Sequence, residues 1–426
     1  MADGRRGASI TVMPIPNITP LRVVIAGGGV GALEALMALH DLGEQQLALT
    51  LVAPDDDFVL RPMSVAVPFS EGHVTRVSLD AICERFGARR VKSAVYEVDP
   101  AAQTVTCDNG DTLDYDRLIL AIGADTRDAY VSALTFHDGD PTELNGLLAD
   151  IEQGYVTSVA LVVPPGGSWS LPLYELALLL AKYTRAVGFP GTPIHLITPE
   201  SAPLAIFGPQ ASAAMEDLLA KHGVTLHTTS YASIERNGVI AMAPGDRRLE
   251  VARVVALPII TGHAIAGVPS DDHGFIPVDD HARVIGLDGV YAVGDSANFP
   301  VKQGGLATQQ ADAAAKDICA DAGAPVAREA FRPVMRGMLL TGADPRFLRH
   351  AAAGGDGESR FSADRLWWPP TKVVGHYLGP WLAEEARLDV ERPPEGISVE
   401  TELPVDRDAR PLALAPLGEI RKHGRW

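Results

Sequence analysis

Cysteine is scarce in this chain, with only Cys83, Cys107 and Cys319 among 426 residues. No two are spaced as C-x-x-C or C-x-x-x-x-C, so a redox-active disulfide has no support and three reduced structural thiols are expected. Cys107 adjoins the turn signal Asp108-Asn109-Gly110-Asp111 and is expected on an edge strand. Cys319 falls in an alanine-rich helix. Positive charge is also short: 36 Lys and Arg face 54 Asp and Glu, for a net charge of −18. Such a balance repels nucleic-acid phosphates and disfavours broad docking on anionic lipid, leaving room only for a local basic patch. Long apolar runs are missing. The closest, Val251 to Val268, is broken by Arg253, Pro258, Gly262 and His263, short of the ~18–20 residues that span a bilayer. Arg5-Arg6 precedes a proline-broken stretch from Thr11 to Pro20 rather than the apolar run of an export signal. Residues 1–19 read as a disordered leader. The expected location is cytoplasmic, with peripheral membrane contact as an option, and no metal is expected.

What is present is informative at two distant turns. Arg22-Val23-Val24-Ile25-Ala26 runs into Gly27-Gly28-Gly29-Val30-Gly31-Ala32, a strand entering a helix through a glycine-rich turn. Gly27 permits the tight turn, Gly29 lets the backbone approach a pyrophosphate at the helix N-terminus, and Ala32 allows close helix–strand packing. Far downstream, Gly289-Val290-Tyr291-Ala292-Val293 runs into Gly294-Asp295, placing an acid past a strand end where it can accept from a ribityl or ribose hydroxyl. Between them, Tyr115 to Ala124 is a buried strand ending in Ala121-Ile122-Gly123-Ala124. At 46% hydrophobic and 21% charged residues the chain is ordinary globular material, and its length calls for two or three domains.

In the order of these motifs, residues 20–325 resemble the two-dinucleotide-fold flavoproteins of the pyridine nucleotide-disulfide oxidoreductase superfamily. That group includes type II NADH dehydrogenases, sulfide:quinone oxidoreductases and flavocytochrome c sulfide dehydrogenase. The resemblance implies an α/β fold of two Rossmann-like, three-layer dinucleotide-binding domains, the second inserted in the first, plus a C-terminal cap. It implies FAD, with its pyrophosphate on Gly27, Gly28, Gly29, Val30, Gly31 and Ala32, Ala121 and Gly123 beside it, and its ribityl chain on Gly294 and Asp295. Ile122 stands where the family usually has Thr. The expected boundaries are 20–147 and 259–325 for the FAD-binding domain, and 148–258 for the second, NAD(P)-binding-like domain. Residues 326–390 form the cap or interface region and 391–426 a loosely ordered tail.

Several segments bear on chemistry. At the end of Leu47 to Val52, where a dinucleotide fold offers an acid to the adenosine ribose, stands Ala53-Pro54. One of Asp55, Asp56 and Asp57 substitutes, or backbone and water hold the ribose, or the three form a solvated acidic loop. Arg61, in Phe58 to Ser64, is suited by its forked donors to a phosphate. The segment from Phe299 leads into an alanine-rich helix whose N-terminus, with Leu306 and Ala307, is expected at the flavin pyrimidine edge. Gln309 matches one glutamine of the quinone element of type II NADH dehydrogenases. Lys302 resembles the lysine of the sulfide-oxidising branch and is expected to stabilise the flavin anion.

The second unit departs from a nucleotide fingerprint. Its first turn, residues 164–174 against 27–33 in the first unit, is four residues longer and holds Pro164, Pro165 and Pro172. Proline removes N–H donors that a pyrophosphate needs, and the next strand ends in Thr198-Pro199-Glu200 without the usual ribose acid. NAD(P)H is therefore possible but disfavoured. The long turn resembles the sulfide branch and keeps its Pro-x-Tyr-Glu element as Pro172 to Glu175, making Glu175 a candidate catalytic residue with Lys302 and Gln309. The cysteine neighbourhood is Ser168-Trp169-Ser170, which has no thiol.

Near the C-terminus, Phe331 to Gly342 reads as a β-hairpin. Trp367 and Trp368 precede Val373, Val374, Tyr377, Leu378, Trp381 and Leu382 at helical spacing. This stripe is either an interfacial helix giving access to membrane quinone or, preferred, a cap packed over the flavin face or against a second subunit, with Pro380 interrupting the helix. The leading expectation is an FAD-dependent oxidoreductase passing electrons through a non-covalent flavin to quinone or another small acceptor. The alternatives are an NAD(P)H-dependent reductase of a quinone or redox protein, and a non-catalytic flavin-binding interaction subunit. A homodimer is an open possibility.

Overall fold

The computed structural model describes residues 19–43, 46–166, 169–350, 359–367 and 369–385. The leader up to residue 18, Ser168, Trp368 and the tail lie outside the described residues.

The first unit opens with β1 (Leu21–Ala26), α1 (Val30–Gly43) and β2 (Leu47–Val52), then a short pair, β3 (Asp57–Val59) and β4 (Arg76–Ser78), before α2 (Leu79–Arg85) and β5 (Arg89–Val91). A three-stranded meander follows, β6 (Val95–Asp99), β7 (Thr104–Cys107) and β8 (Thr112–Asp114), then β9 (Arg117–Leu120) and β10 (Ala124–Arg127). The second unit repeats the plan: β11 (Leu134–Thr135), α3 (Thr142–Glu152), β12 (Val159–Val162), α4 (Leu171–Ala186), β13 (Ile194–Ile197), α5 (Pro209–Lys221) and β14 (Val224–His227). Its meander is β15 (Tyr231–Ile234), β16 (Val239–Ala243) and β17 (Arg247–Glu250), after which come β18 (Arg253–Ala256) and β19 (Ile259–Gly262). The chain then returns to the first unit with β20 (Val290–Ala292) and α6 (Gly304–Asp321), and ends with β21 (Met335–Leu339), β22 (Arg346–His350), β23 (Ser359–Ser362) and α7 (Leu378–Glu385).

The two main sheets are parallel and equivalent, ordered β20-β9-β1-β2-β5 and β11-β18-β12-β13-β14. Strands buried on both faces explain the unbroken apolar runs of the sequence. In β1, Val23 and Ile25 face helices α1 and α6, whereas Val24 and Ala26 face the β6-β7-β8 meander. The second sheet is covered the same way, by helices on one face and β15-β16-β17 on the other. Each unit thus has three layers.

The chain passes between units through β10 and β19, which pair antiparallel from Ala124↔Gly262 to Arg127↔Ile259. Because β11 joins the second sheet and α3 its core, passage into the second unit precedes residue 148, the boundary expected from sequence. Cys107 is also corrected. It lies in β7, the middle strand of its meander, and is fully buried rather than at an edge.

The C-terminal part divides between the units. Of the hairpin expected over Phe331 to Gly342, only one strand, β21, falls in that range. Its partner β22 lies beyond Gly342, whose φ is 72°, and the pair packs on the second unit's core. The aromatic stripe covers the first unit's core: Val373, Leu378, Trp381 and Leu382 are buried with α1 and α6. Helix begins only at Leu378, so Pro380 sits in a first turn, where its missing N–H costs nothing.

Candidate active site

A cavity of about 900 Å³ opens where both units and the C-terminal segment meet, within the ~300–1,000 Å³ usual for cofactor pockets. One wall is the turn between β1 and α1. Gly27, with φ 124°, donates its N–H to Val52 O at 2.7 Å. A methyl on Gly27 would lie 2.1 Å from the Ala121 carbonyl oxygen, one on Gly28 2.8 Å from Leu79 Cδ1, and one on Gly31 3.2 Å from Val293 Cγ2. Gly29 is different, since an added Cβ there meets nothing within 4 Å. A turn sealed behind three glycines and open at the fourth, at the head of a helix, fits an anionic pyrophosphate.

Beyond β2, Asp55, Asp56 and Asp57 all border the cavity. Asp56 is paired with Lys92 at 2.5 Å. Arg61 is 60% exposed, 3.9 Å from Asp138.

At the other end, Gly294 and Asp295 follow β20 in a short 3₁₀ turn, and the Gly294 N–H donates to Gln310 Oε1 at 2.7 Å. Lys302 is buried, its Nζ held by the Ala297 carbonyl and placed 3.7 Å from the centre of the Phe275 ring. Burial pushes the Lys302 ammonium down to about 8, against the attraction of Asp295. The Asp295 carboxyl is pushed up by burial, against the pull of Lys302. Asp295 and Lys302 thus face one cavity with their charged forms both disfavoured by burial, as is common at functional sites.

Between these ends lies a buried ion pair. Glu175 Oε2 meets Lys372 Nζ at 2.6 Å, and the same ammonium donates to Pro62 O at 2.7 Å. The other carboxylate oxygen accepts the Leu340 N–H at 2.9 Å. Burial raises the Glu175 pKa and Lys372 opposes the rise. Lys372 and Gln303 border the cavity and were not foreseen from sequence. Lys372 lies in no motif, and only the fold brings it to Glu175.

Of the expected residues, the turn Gly27 to Gly31, Arg61, Ala121, Gly123, Glu175, Gly294, Asp295, Lys302 and Ala307 border this cavity. Three do not. Ala32 is buried in the core between α1 and α6. Leu306 is buried and donates its N–H to Gln303 Oε1 at 2.9 Å, completing the N-cap of α6. Gln309 uses its amide on backbone, donating to Gly305 O at 2.6 Å and Val334 O at 3.1 Å and accepting the Val334 N–H at 2.8 Å. Its geometry is that of a brace behind the wall. Cys83, Cys107 and Cys319 are all buried and none borders the cavity.

In the second unit, Trp169 packs edge-on against Phe207 at 5.8 Å and borders the cavity. Behind it, the Glu200 carboxylate accepts from Ser170 Oγ at 3.1 Å, Tyr174 OH at 2.7 Å and Thr198 Oγ1 at 2.9 Å. No helix among the described residues is long and apolar enough to cross a membrane.

Known proteins resemble this chain in sequence and fold. An NADH dehydrogenase-like protein of Mycobacterium tuberculosis is 28% identical over 299 residues, 65% of this chain and 72% of that protein. The sulfide-quinone reductase of Aquifex aeolicus is 26% identical over 238 residues, 51% of this chain and only 53% of that protein. The crystal structure of the Aquifex aeolicus sulfide:quinone oxidoreductase superposes with a TM-score of 0.72 at 20% identity, covering 80% of this chain and 87% of that one. The family described as pyridine nucleotide-disulphide oxidoreductase matches residues 21–316. The chain therefore belongs to that family of flavin-dependent oxidoreductases.

Proposed function

We propose that this protein holds FAD non-covalently and passes two electrons from a donor other than NAD(P)H to quinone or another small acceptor. The observation that carries the reading is the open face of Gly29 in the same cavity as Asp295, Lys302 and the Glu175–Lys372 pair. The flavin, when bound, supplies the centre that accepts and releases the electron pair. The chain supplies the rest. The turn at the head of α1 would take the pyrophosphate, and Asp295 would accept from a ribityl hydroxyl. Lys302 and the N-terminus of α6 would oppose the negative charge of a reduced flavin. The Glu175–Lys372 pair holds its proton on Lys372 Nζ, against Glu175 Oε2 at the cavity wall, where quinone reduction calls for proton delivery.

Quinone as acceptor is supported by the name of the Aquifex aeolicus relative. Sulfide as donor is not carried over, because that branch works through a thiol and the three thiols here lie away from the cavity. The test is absorbance of the purified protein followed by anaerobic reduction with NADH, NADPH, sulfide and reduced ferredoxin. One FAD per chain is expected, with slow bleaching by either nicotinamide. Asp295→Ala should raise the FAD dissociation constant at least about tenfold, since a charge-assisted hydrogen bond contributes ~1.5–3 kcal/mol. A colourless protein that takes up no FAD would overturn the reading.

A further inference from the structure

The repeat between the two units extends past their second strands. After β2 the chain reads Ala53-Pro54-Asp55, and after β13 it reads Thr198-Pro199-Glu200. Asp55 and Glu200 therefore hold the same place, near the strand end from which dinucleotide folds present a carboxylate to a ribose. Their surroundings differ. Asp55 is exposed and borders the main cavity. Glu200 accepts three hydroxyls from its own chain, brought from the end of the turn (Ser170), the start of α4 (Tyr174) and the strand end (Thr198). Tyr174 and Thr198 are fully buried, so these donors are fixed by packing. A ribose diol offers a carboxylate the same chemistry, two hydroxyls on neighbouring carbons.

We propose that Glu200 is a ribose-binding acid satisfied from within, so that Ser170, Tyr174 and Thr198 close the second dinucleotide site and exclude nicotinamide nucleotides. The inference deepens the donor reading above and rests on it. The long turn contributes as well: Ser170 sits at the N-cap of α4 without capping it, because its hydroxyl bonds Glu200 instead, and Pro172 removes an N–H from the first turn. Closure by hydroxyls on one carboxylate is reversible by mutation, which a deleted site would not be.

The test is calorimetric titration of the flavin-loaded protein with NAD⁺ and NADP⁺, oxidised so that no turnover intervenes. The natural protein should bind both with dissociation constants near or above about 1 mM. Ser170→Ala/Tyr174→Phe removes two competing donors and should tighten NAD⁺ at least about tenfold. NADP⁺ should not gain, because its 2′-phosphate is repelled by the freed carboxylate. Adding Glu200→Gln should remove the NAD⁺ gain. If the double variant loses its fold, Ser170→Ala alone, at a half-buried position, should show the same preference for NAD⁺. A folded variant that binds NAD⁺ no better, or that gains equally for NADP⁺, overturns this inference alone. Tight NAD⁺ binding by the natural protein, at tens of micromolar, overturns it together with the donor reading. Absence of FAD sinks the flavin reading without touching the titration, which then runs on the apoprotein.

Discussion

Glu34 and Glu175 occupy the same step of two equivalent helices, each the fifth residue of the helix that follows the central strand of its unit's parallel sheet. Both are completely buried. Each directs its carboxylate at the C-terminal segment: Glu34 accepts the N–H groups of Tyr377 at 2.9 Å and Leu378 at 2.7 Å, and Glu175 accepts from Leu340 and Lys372. The last part of the chain is thus pinned by one acid from each unit.

Removing the acid from the second pin should be costly. Glu175→Leu leaves the Lys372 ammonium buried without its counter-charge, a loss of about 3–5 kcal/mol for such pairs. Glu175→Leu/Lys372→Met should recover most of that stability while still impairing reduction of a quinone. Urea unfolding of the single and double variants decides it, and a single variant no weaker than the double would refute the pairing.

The glycines of the first turn should separate flavin binding from folding. Gly29→Val places its side chain in open space where the pyrophosphate approaches, so the protein should fold but purify colourless. Gly27→Ala forces a methyl 2.1 Å from the Ala121 oxygen at a φ of 124° and should give insoluble protein. Circular dichroism and flavin absorbance of both variants give the answer; full flavin occupancy in Gly29→Val would contradict the pyrophosphate site.

Lys302 should leave a pH signature on the stability of the apoprotein. Its folded pKa of about 8 lies below the ordinary 10.5, so between these values the native state binds fewer protons than the unfolded chain. Stability from this group therefore rises with pH across that window, and the cost is complete below pH 8. The full effect is on the order of 3 kcal/mol. The stability difference between natural protein and Lys302→Met should accordingly shift in favour of the natural protein between pH 7.5 and 10. A flat difference would show that the ammonium is not desolvated.

The thiols should be silent. Burial pushes the Cys319 thiol up to about 12 and raises those of Cys83 and Cys107, which suppresses the reactive thiolate. An aromatic disulfide reagent should label none of them until the protein unfolds, and sulfide should bleach the flavin slowly in natural protein and in the triple alanine variant alike. Rapid bleaching abolished by one cysteine substitution would restore sulfur chemistry.

Local signals carried the first unit well. Glycines at fixed spacing after Val23–Ala26 specify a turn that little else permits, and the buried strands read as apolar runs. Long-range partners were illegible. Nothing near Lys372 marks it as the partner of Glu175, and nothing in Gln309 distinguishes an amide facing a cavity from one bracing Val334. Cys107 misled because a turn signal shows that a strand ends, not which neighbours flank it in the sheet. The stripe from Val373 to Leu382 was apolar at helical spacing, yet only its last part is helical. Its buried residues meet α1 and α6 partly through irregular chain, so burial alone produced the pattern.

The paired connections β10 and β19 make the second unit a cassette. Arg127 and Ile259 are cross-strand partners, so the chain leaves the first unit and re-enters it side by side. Excising everything between them and closing the gap with a tight turn would leave an ordinary hairpin on a first unit whose parallel sheet is otherwise complete. The flavin turn, Asp295 and Lys302 would all remain, whereas Glu175 and the wall facing them would be gone. Architecture of this kind lets one half keep a cofactor while the other is exchanged to suit a different reaction partner.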